Sequence, residues 1–201
     1  GNNEFFGTYG VASSGRAGSR PWMLRANRLL NSLAIVQGLR RLRDGDADME
    51  RPLMEAMMAQ AYIGPVGWRR PAAANNLYSN VSEMIRKCRA RGVPVMVCTL
   101  PANERDLAPL GLDKLDPLPA NVQQEIKSQL DLSENKLRQN DPEAAIPALQ
   151  QILKLYPQHA RAHFLLGTCL IRLGKEREAF PHFVAARDLD SMPWRPPSQS
   201  Q

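Results

Sequence analysis

The sequence has few of the residues that most often mark metal or redox chemistry. It contains three cysteines and three histidines in 201 residues, and no two cysteines have the C-x-x-C spacing of a zinc or redox site. Cys88, Cys98 and Cys169 each lie in an apolar pattern, which predicts buried free thiols. His159 and His163 are four residues apart, a spacing that can hold metal, but no third ligand is evident and a structural role is favoured. We expect no cofactor and no metal.

Long apolar runs and aromatic-rich basic patches are also missing. No run reaches the roughly 18 apolar residues of a membrane-spanning helix, so no membrane segment is expected. The net charge of +6 comes largely from arginines between Arg16 and Arg91. Nucleic-acid binding requires basic residues interleaved with aromatic ones on one face, whereas Arg40, Arg41 and Arg43 end a predicted helix, where cations suit the helix dipole. We therefore expect no nucleic-acid partner.

The sequence does contain enough apolar residues, 43% of the total, for a buried core. In the first half, hydrophobic periodicity predicts helices over about residues 21–43, 47–61 and 77–92. Residues 93–100, VPVMVCTL, follow directly and predict a strand that is buried on both faces. A helix that leads through a glycine turn into such a strand is half of an α/β layer unit.

The second half contains an internal repeat. Asn140 falls on Gly174 after a shift of 34 residues, and both tolerate the left-handed backbone that a helix–helix turn needs. The same shift superimposes four further pairs: Leu132 on Leu166, Ala145 on Ala179, Pro147 on Pro181 and Leu149 on Phe183. A two-helix unit with a period of about 34 residues resembles the tetratricopeptide repeat.

The proline-rich stretch before this repeat predicts a domain boundary near residues 117–121. We predict a partial α/β domain over residues 1–118, two repeats of about 126–159 and 160–193 within residues 119–193, and a tail over residues 194–201. The resemblance implies a concave face that can bind a peptide or protein partner, although packing against the neighbouring domain is an equal alternative. The side chains it would present are Lys127, Leu130, Glu134 and Leu137, then Arg161, Phe164, Thr168 and Ile171.

The opening residues carry a second resemblance. Gly1-Asn2-Asn3-Glu4 follows the G-x-N-D order of the third conserved block of the SGNH (GDSL-type) hydrolases, with Glu in place of Asp. VMVCTLPANERDLAP is similar to a strand and loop of bacterial SGNH-like proteins that also carry tetratricopeptide repeats. This resemblance implies a three-layer, flavodoxin-like α/β fold whose active site lies at the carboxyl ends of a parallel sheet. It also implies that Asn3 donates its side-chain N–H to an oxyanion, with Asn2, Glu4 and Asn103 near the substrate.

Two parts of that family's catalytic machinery have no counterpart in these residues. There is no G-D-S nucleophile block and no D-x-x-H, and Ser13 and Ser14 lack the context of a nucleophile. We therefore expect a fragment of a serine ester hydrolase that is inactive by itself and acts on an acyl ester only in a longer protein. The alternatives are a glycan O-acyltransferase and a non-catalytic repeat scaffold that binds a protein partner. Such relatives are often membrane-tethered or exported, but no residue here places the compartment.

Overall fold

The computed structural model describes residues 63–98, 102–111, 113–115 and 117–193, together with a few isolated residues between 11 and 38. Five helices can be followed from end to end in this part of the chain, and none of its residues forms a β-strand. The chain divides into two compact units, residues 1–99 and residues 100–199.

The first unit contains helix α1, Arg69–Arg89. Near its beginning the buried Arg70 side chain donates to two backbone carbonyls of the preceding turn, at 2.9 and 3.1 Å. At its end Gly92 adopts a positive φ of 69°, and the Val93 N–H donates to the Cys88 carbonyl at 3.0 Å. This is the hydrogen bond of a Schellman motif, which satisfies a carbonyl that has no partner inside the helix. The helix therefore stops before the glycine that the sequence analysis gave as its end.

The predicted buried strand over residues 93–100 is wrong for the six residues that the structure describes. Val93–Cys98 has no regular secondary structure and every side chain is exposed, with Met96 reaching 88% exposure. A buried strand needs neighbouring strands for its backbone groups and a layer over each face. No described residue supplies either, and Pro94 lacks the N–H that a ladder would use.

The predicted α/β three-layer, flavodoxin-like fold is therefore contradicted, because the described residues form helices without a sheet. The thiol prediction is only partly correct: Cys169 is buried, Cys88 is half-buried and Cys98 is exposed. The predicted helix over residues 47–61 and most of the helix over residues 21–43 lie outside the described residues.

The second unit is built from two helical hairpins in series. Helices α2, α3, α4 and α5 pack in chain order, each against the next, and they comprise Ala120–Arg138, Pro142–Leu155, Ala160–Arg172 and Glu176–Leu189. One apolar cluster runs through all four helices. Its buried members are Ile126, Ala145, Leu149, Ile152, Ala162, Leu165, Leu166, Cys169, Leu170, Ala179 and Phe183.

The two hairpin turns have the same geometry, as the repeat predicts. Asn140 and Gly174 both lie in the left-handed region, with φ of 58° and 72°. In each turn the next residue's N–H closes a Schellman bond: Asp141 donates to Lys136 at 3.0 Å and Lys175 to Leu170 at 2.9 Å. The left-handed residue reverses the chain after helices α2 and α4, so the following helix packs antiparallel to the one before.

Small residues let the helices of each hairpin approach closely. A Cβ atom added to Gly167 would lie 2.9–3.1 Å from the Phe183 ring, closer than side chains pack in proteins. The position equivalent to Gly167 in the first hairpin is Ser133, which is fully buried. The Ser133 hydroxyl donates to the Leu130 carbonyl at 2.7 Å, so its polar atom is satisfied within its own helix.

The alignment of Leu132 with Leu166 does not extend to burial. Leu166 is 4% exposed whereas Leu132 is 46% exposed. Helix α4 packs between α3 and α5, while α2 is the first helix of the series and packs chiefly on α3. Terminal repeats of such arrays are covered on fewer sides than internal ones, which accounts for the exposure of Leu132.

A strap segment, comprising residues 102–111 and 113–115, binds the second hairpin through buried charges. The Asp190 carboxylate, 2% exposed, accepts from the backbone N–H groups of Leu110 at 3.0 Å and Gly111 at 2.8 Å. A side chain on Gly111 would collide with Ser191 and the backbone that follows it. The buried Arg187 side chain forms an ion pair with Glu104 of the strap segment.

The strap segment also caps helix α4. The Asp113 carboxylate accepts from the backbone N–H groups of Ala160 at 3.1 Å and Arg161 at 3.3 Å, and it lies 2.9 Å from the His159 Nδ1 atom. These N–H groups belong to the first turn, which has no partners inside the helix, and a negative charge suits the positive end of its dipole. The strap segment is therefore part of the folded second unit. The predicted domain bounds at 118 and 119 stay a prediction.

Candidate protein-interaction surface

The first helices of the two hairpins, α2 and α4, present the row of side chains that the repeat resemblance implies. Each helix contributes four positions spaced by three, four and three residues, which places them on one helical face. We call this row the groove face; it consists of Lys127, Leu130, Glu134, Leu137, Arg161, Phe164, Thr168 and Ile171. Lys127 is exposed and the other seven side chains are half-buried. The face therefore combines accessible apolar surface with charges of both signs.

Polar bonds connect the two helices along this face. Arg161 on α4 donates to the Glu134 carboxylate on α2 at 3.3 and 3.4 Å, and Glu134 also lies 3.9 Å from Arg138 in its own helix. Near the other end of the face, Arg172 donates to the Leu137 carbonyl at 3.0 Å. Exposed ion pairs contribute at most about 1 kcal/mol, so we interpret these contacts mainly as fixing where the side chains point.

The apolar part of the groove face rests on the core. Leu130, Leu137, Phe164 and Ile171 pack against the buried cluster while keeping part of their surface accessible. The Phe164 ring contacts the Phe183 ring edge-on with centroids 5.7 Å apart, a favourable aromatic geometry. Side chains anchored in this way lose little freedom when a partner covers them, which favours binding.

Asn103, which the hydrolase resemblance places near a substrate, lies in the strap segment. Its side-chain oxygen accepts from the Asp106 backbone N–H at 2.9 Å, which is a local Asx turn. The other predicted hydrolase site residues, Asn2, Asn3 and Glu4, lie outside the described residues. The roles predicted for all four residues stay predictions.

The histidines form contacts that the sequence analysis did not anticipate. His159 is buried and begins helix α4, where its Nδ1 atom lies 3.2 Å from the Ala162 backbone nitrogen and 2.9 Å from the Asp113 carboxylate. His163 on α4 and His182 on α5 have their Nδ1 atoms 3.0 Å apart, and the His163 Nε2 atom lies 3.0 Å from the Pro157 carbonyl. A carbonyl only accepts, so His163 carries its proton on Nε2 and accepts at Nδ1 from the His182 N–H.

This histidine pair makes stability depend on pH. Burial lowers the pKa of His163, with the His182 and His159 charges in the same direction and the Pro157 carbonyl and Asp113 opposing. Burial also lowers the pKa of His182. Because the folded pKa lies below the unfolded value of about 6.5, the unfolded chain binds more protons than the folded chain in the intervening pH range. The free energy of unfolding therefore decreases as the pH is lowered through this range.

We expect the replacement His182→Gln to flatten this dependence. Urea unfolding at pH 7.5 and pH 5.5 should show a smaller loss of unfolding free energy for the variant than for the parent protein, since one titrating ring is gone. Other groups titrate equally in both proteins, so the difference isolates the pair. Equal losses in the two proteins would show that the pair does not contribute.

Sequence reasoning missed Glu104, Arg187 and Asp190, which bind the strap segment, because these residues are far apart in the chain. A weak signal for the histidine pair was present. Helices α4 and α5 form a hairpin about a known turn, so residues at similar distances from Gly174 lie side by side. His163 precedes Gly174 by 11 residues and His182 follows it by 8, which places them near the same level of the hairpin.

Comparison with known proteins supports the repeat interpretation. Residues 130–191 match the family model of the tetratricopeptide repeat, and this range spans most of both hairpins. No curated protein and no solved structure matches the chain. The family match thus extends to the repeat segment and gives no support to a hydrolase portion.

No group of three or more His, Cys, Asp or Glu side chains in the described part of the chain could hold a metal ion. None of the helices in this part combines the length and apolarity needed to cross a bilayer.

Proposed function

We infer that the second unit is a protein-interaction module that binds a partner on the groove face. The observation that carries this proposal is the match of residues 130–191 to the tetratricopeptide repeat, in a segment whose helices α2 and α4 present accessible apolar side chains. Repeats of this architecture stack into surfaces that bind other chains. The partner we propose is an extended or helical peptide segment of another protein.

The composition of the groove face supports a peptide partner. Phe164 and Ile171 offer apolar surface fixed by the core, and anchors of this kind supply most of the affinity in protein interfaces. Lys127 and the Glu134–Arg161 pair lie among them, and such charges mainly set specificity and the rate of association. Two repeats make a short face, so we expect micromolar affinity, about −8 kcal/mol.

We do not propose ester hydrolysis or acyl transfer for these residues. Both interpretations depend on a parallel sheet that positions a catalytic loop at its edge, and the described residues contain no strand. The comparisons also match the repeats and no hydrolase.

Peptides that bind the immobilised protein are first selected from a random library. We expect their affinity to fall at least about tenfold when the groove face carries both Lys127→Glu and Ile171→Arg. The matched control is Leu132→Arg, which places a charge on α2 at an exposed position outside the groove face. Calorimetry gives the affinities, and circular dichroism checks that each variant stays folded.

Hydrogen exchange of the complex provides an independent measurement. The proposal predicts new protection in helices α2 and α4 with little change in α1. It is wrong if the peptides protect other helices, or if Leu132→Arg weakens binding as much as the groove variant does.

A further inference from the structure

The histidine pair between α4 and α5 has a geometry that suits a metal ion as well as a proton. The two Nδ1 atoms are 3.0 Å apart and the ring centroids are 5.3 Å apart with planes inclined at 32°. A zinc ion bound to two imidazoles at about 2.0–2.1 Å in a tetrahedral site separates the two nitrogens by about 3.3 Å. The two nitrogens must therefore separate by about 0.3 Å to hold the ion. Each ring must also rotate, because a nitrogen separation of 3.0 Å with centroids 5.3 Å apart means that the two nitrogens now point directly at each other.

His163 is already oriented as a metal ligand. Its Nε2 atom lies 3.0 Å from the Pro157 carbonyl, so Nε2 carries the proton and Nδ1 offers a lone pair. Histidine ligands in proteins commonly donate their other ring N–H to a carbonyl or carboxylate, which fixes both the ring and its tautomer. When the ion binds, the proton on His182 moves from Nδ1 to Nε2, both rings stay neutral, and no net proton is released.

We propose that His163 and His182 form a two-imidazole binding site for Zn²⁺ that connects the two helices of the second hairpin. Water completes the coordination, since the described residues provide no group of three ligand side chains. Imidazole nitrogen is a favoured zinc ligand. The site lies on α4 and α5 and is independent of whether the groove face binds a partner.

The test uses Zn²⁺ alone with the full chain, in a Cys88→Ser/Cys98→Ser background. These two thiols are half-buried and exposed and could otherwise bind the ion. The third thiol needs no change, because burial raises the pKa of Cys169 to about 11 and zinc binds the thiolate. Calorimetry at pH 7.5 should show one ion per chain, and His182→Gln should weaken this binding by at least about tenfold.

Histidine ring NMR separates this site from adventitious binding, since the chain has only three histidines. Zn²⁺ should shift the ring signals of His163 and His182 and leave those of His159 nearly unchanged. His182 is half-buried, so its replacement should preserve the fold, which circular dichroism checks. The proposal is overturned if no binding is seen at millimolar Zn²⁺, if His182→Gln binds as tightly as its background, or if only His159 responds.

Discussion

The replacement Arg187→Ala is expected to reduce the free energy of unfolding by about 3 kcal/mol. The Arg187 side chain is 3% exposed and forms ion pairs with Glu104 in the strap segment and with Asp188 beside it. Removing it takes a positively charged partner away from two partly buried carboxylates and deletes the ion pair between the strap segment and α5. Urea unfolding followed by circular dichroism at 222 nm should show the midpoint falling by roughly 1–3 M.

Arg138→Ala is the matched control, because the Arg138 side chain is 73% exposed and its ion pair with Glu134 is long, at 3.9 Å. We expect it to change the unfolding free energy by less than about 0.5 kcal/mol. A double-mutant cycle with Glu104→Ala should give a coupling energy of at least about 1 kcal/mol between Glu104 and Arg187. If the two arginine variants lose the same stability, the strap segment does not depend on this ion pair.

The replacement Leu149→Ala is expected to destabilise the second unit by about 3–4 kcal/mol. Leu149 has no exposed surface and lies inside the cluster that joins the two hairpins. Truncation removes apolar contacts and leaves a cavity that the surrounding helices can only partly fill. For a unit of this size, the melting temperature should fall by roughly 12–32 °C in a thermal scan.

Two variants bracket this expectation. Leu149→Met keeps the volume and should lose less than about 1.5 kcal/mol. Leu132→Ala truncates the leucine that the repeat alignment places on Leu166 but that is 46% exposed, and should lose less than about 1 kcal/mol. If Leu149→Ala and Leu132→Ala reduce the free energy of unfolding by the same amount, the difference in burial between the two leucines does not control stability and the expectation is wrong.

The features that the sequence predicted well are those that depend on residues close together in the chain. Asn140 and Gly174 mark the two turns because few residue types tolerate a positive φ. The 34-residue repeat itself is supported by the family match over residues 130–191. The side chains expected on the groove face follow from helical spacing once the repeat is known, and their role in binding stays a prediction. Each of these requirements falls within about 34 residues, so a single repeat displays it.

The failed predictions depend on distant partners. The apolar run of residues 93–98 reads as a buried strand, but burial requires a covering layer, and local hydrophobicity does not reveal whether one exists. Similarly, the Glu104–Arg187 ion pair spans 83 positions in the chain and the Leu110–Asp190 hydrogen bond spans 80. Charged residues at such separations have no periodic pattern that would pair them.

The sequence by itself therefore determined the repeat, its helices and its turns, because these depend on local spacing and backbone conformation. Only the tertiary structure decided that residues 93–98 are exposed, that the strap segment binds the second hairpin, and that His163 contacts His182. These outcomes depend on which surfaces and charges meet across the folded chain, and burial sets their energies.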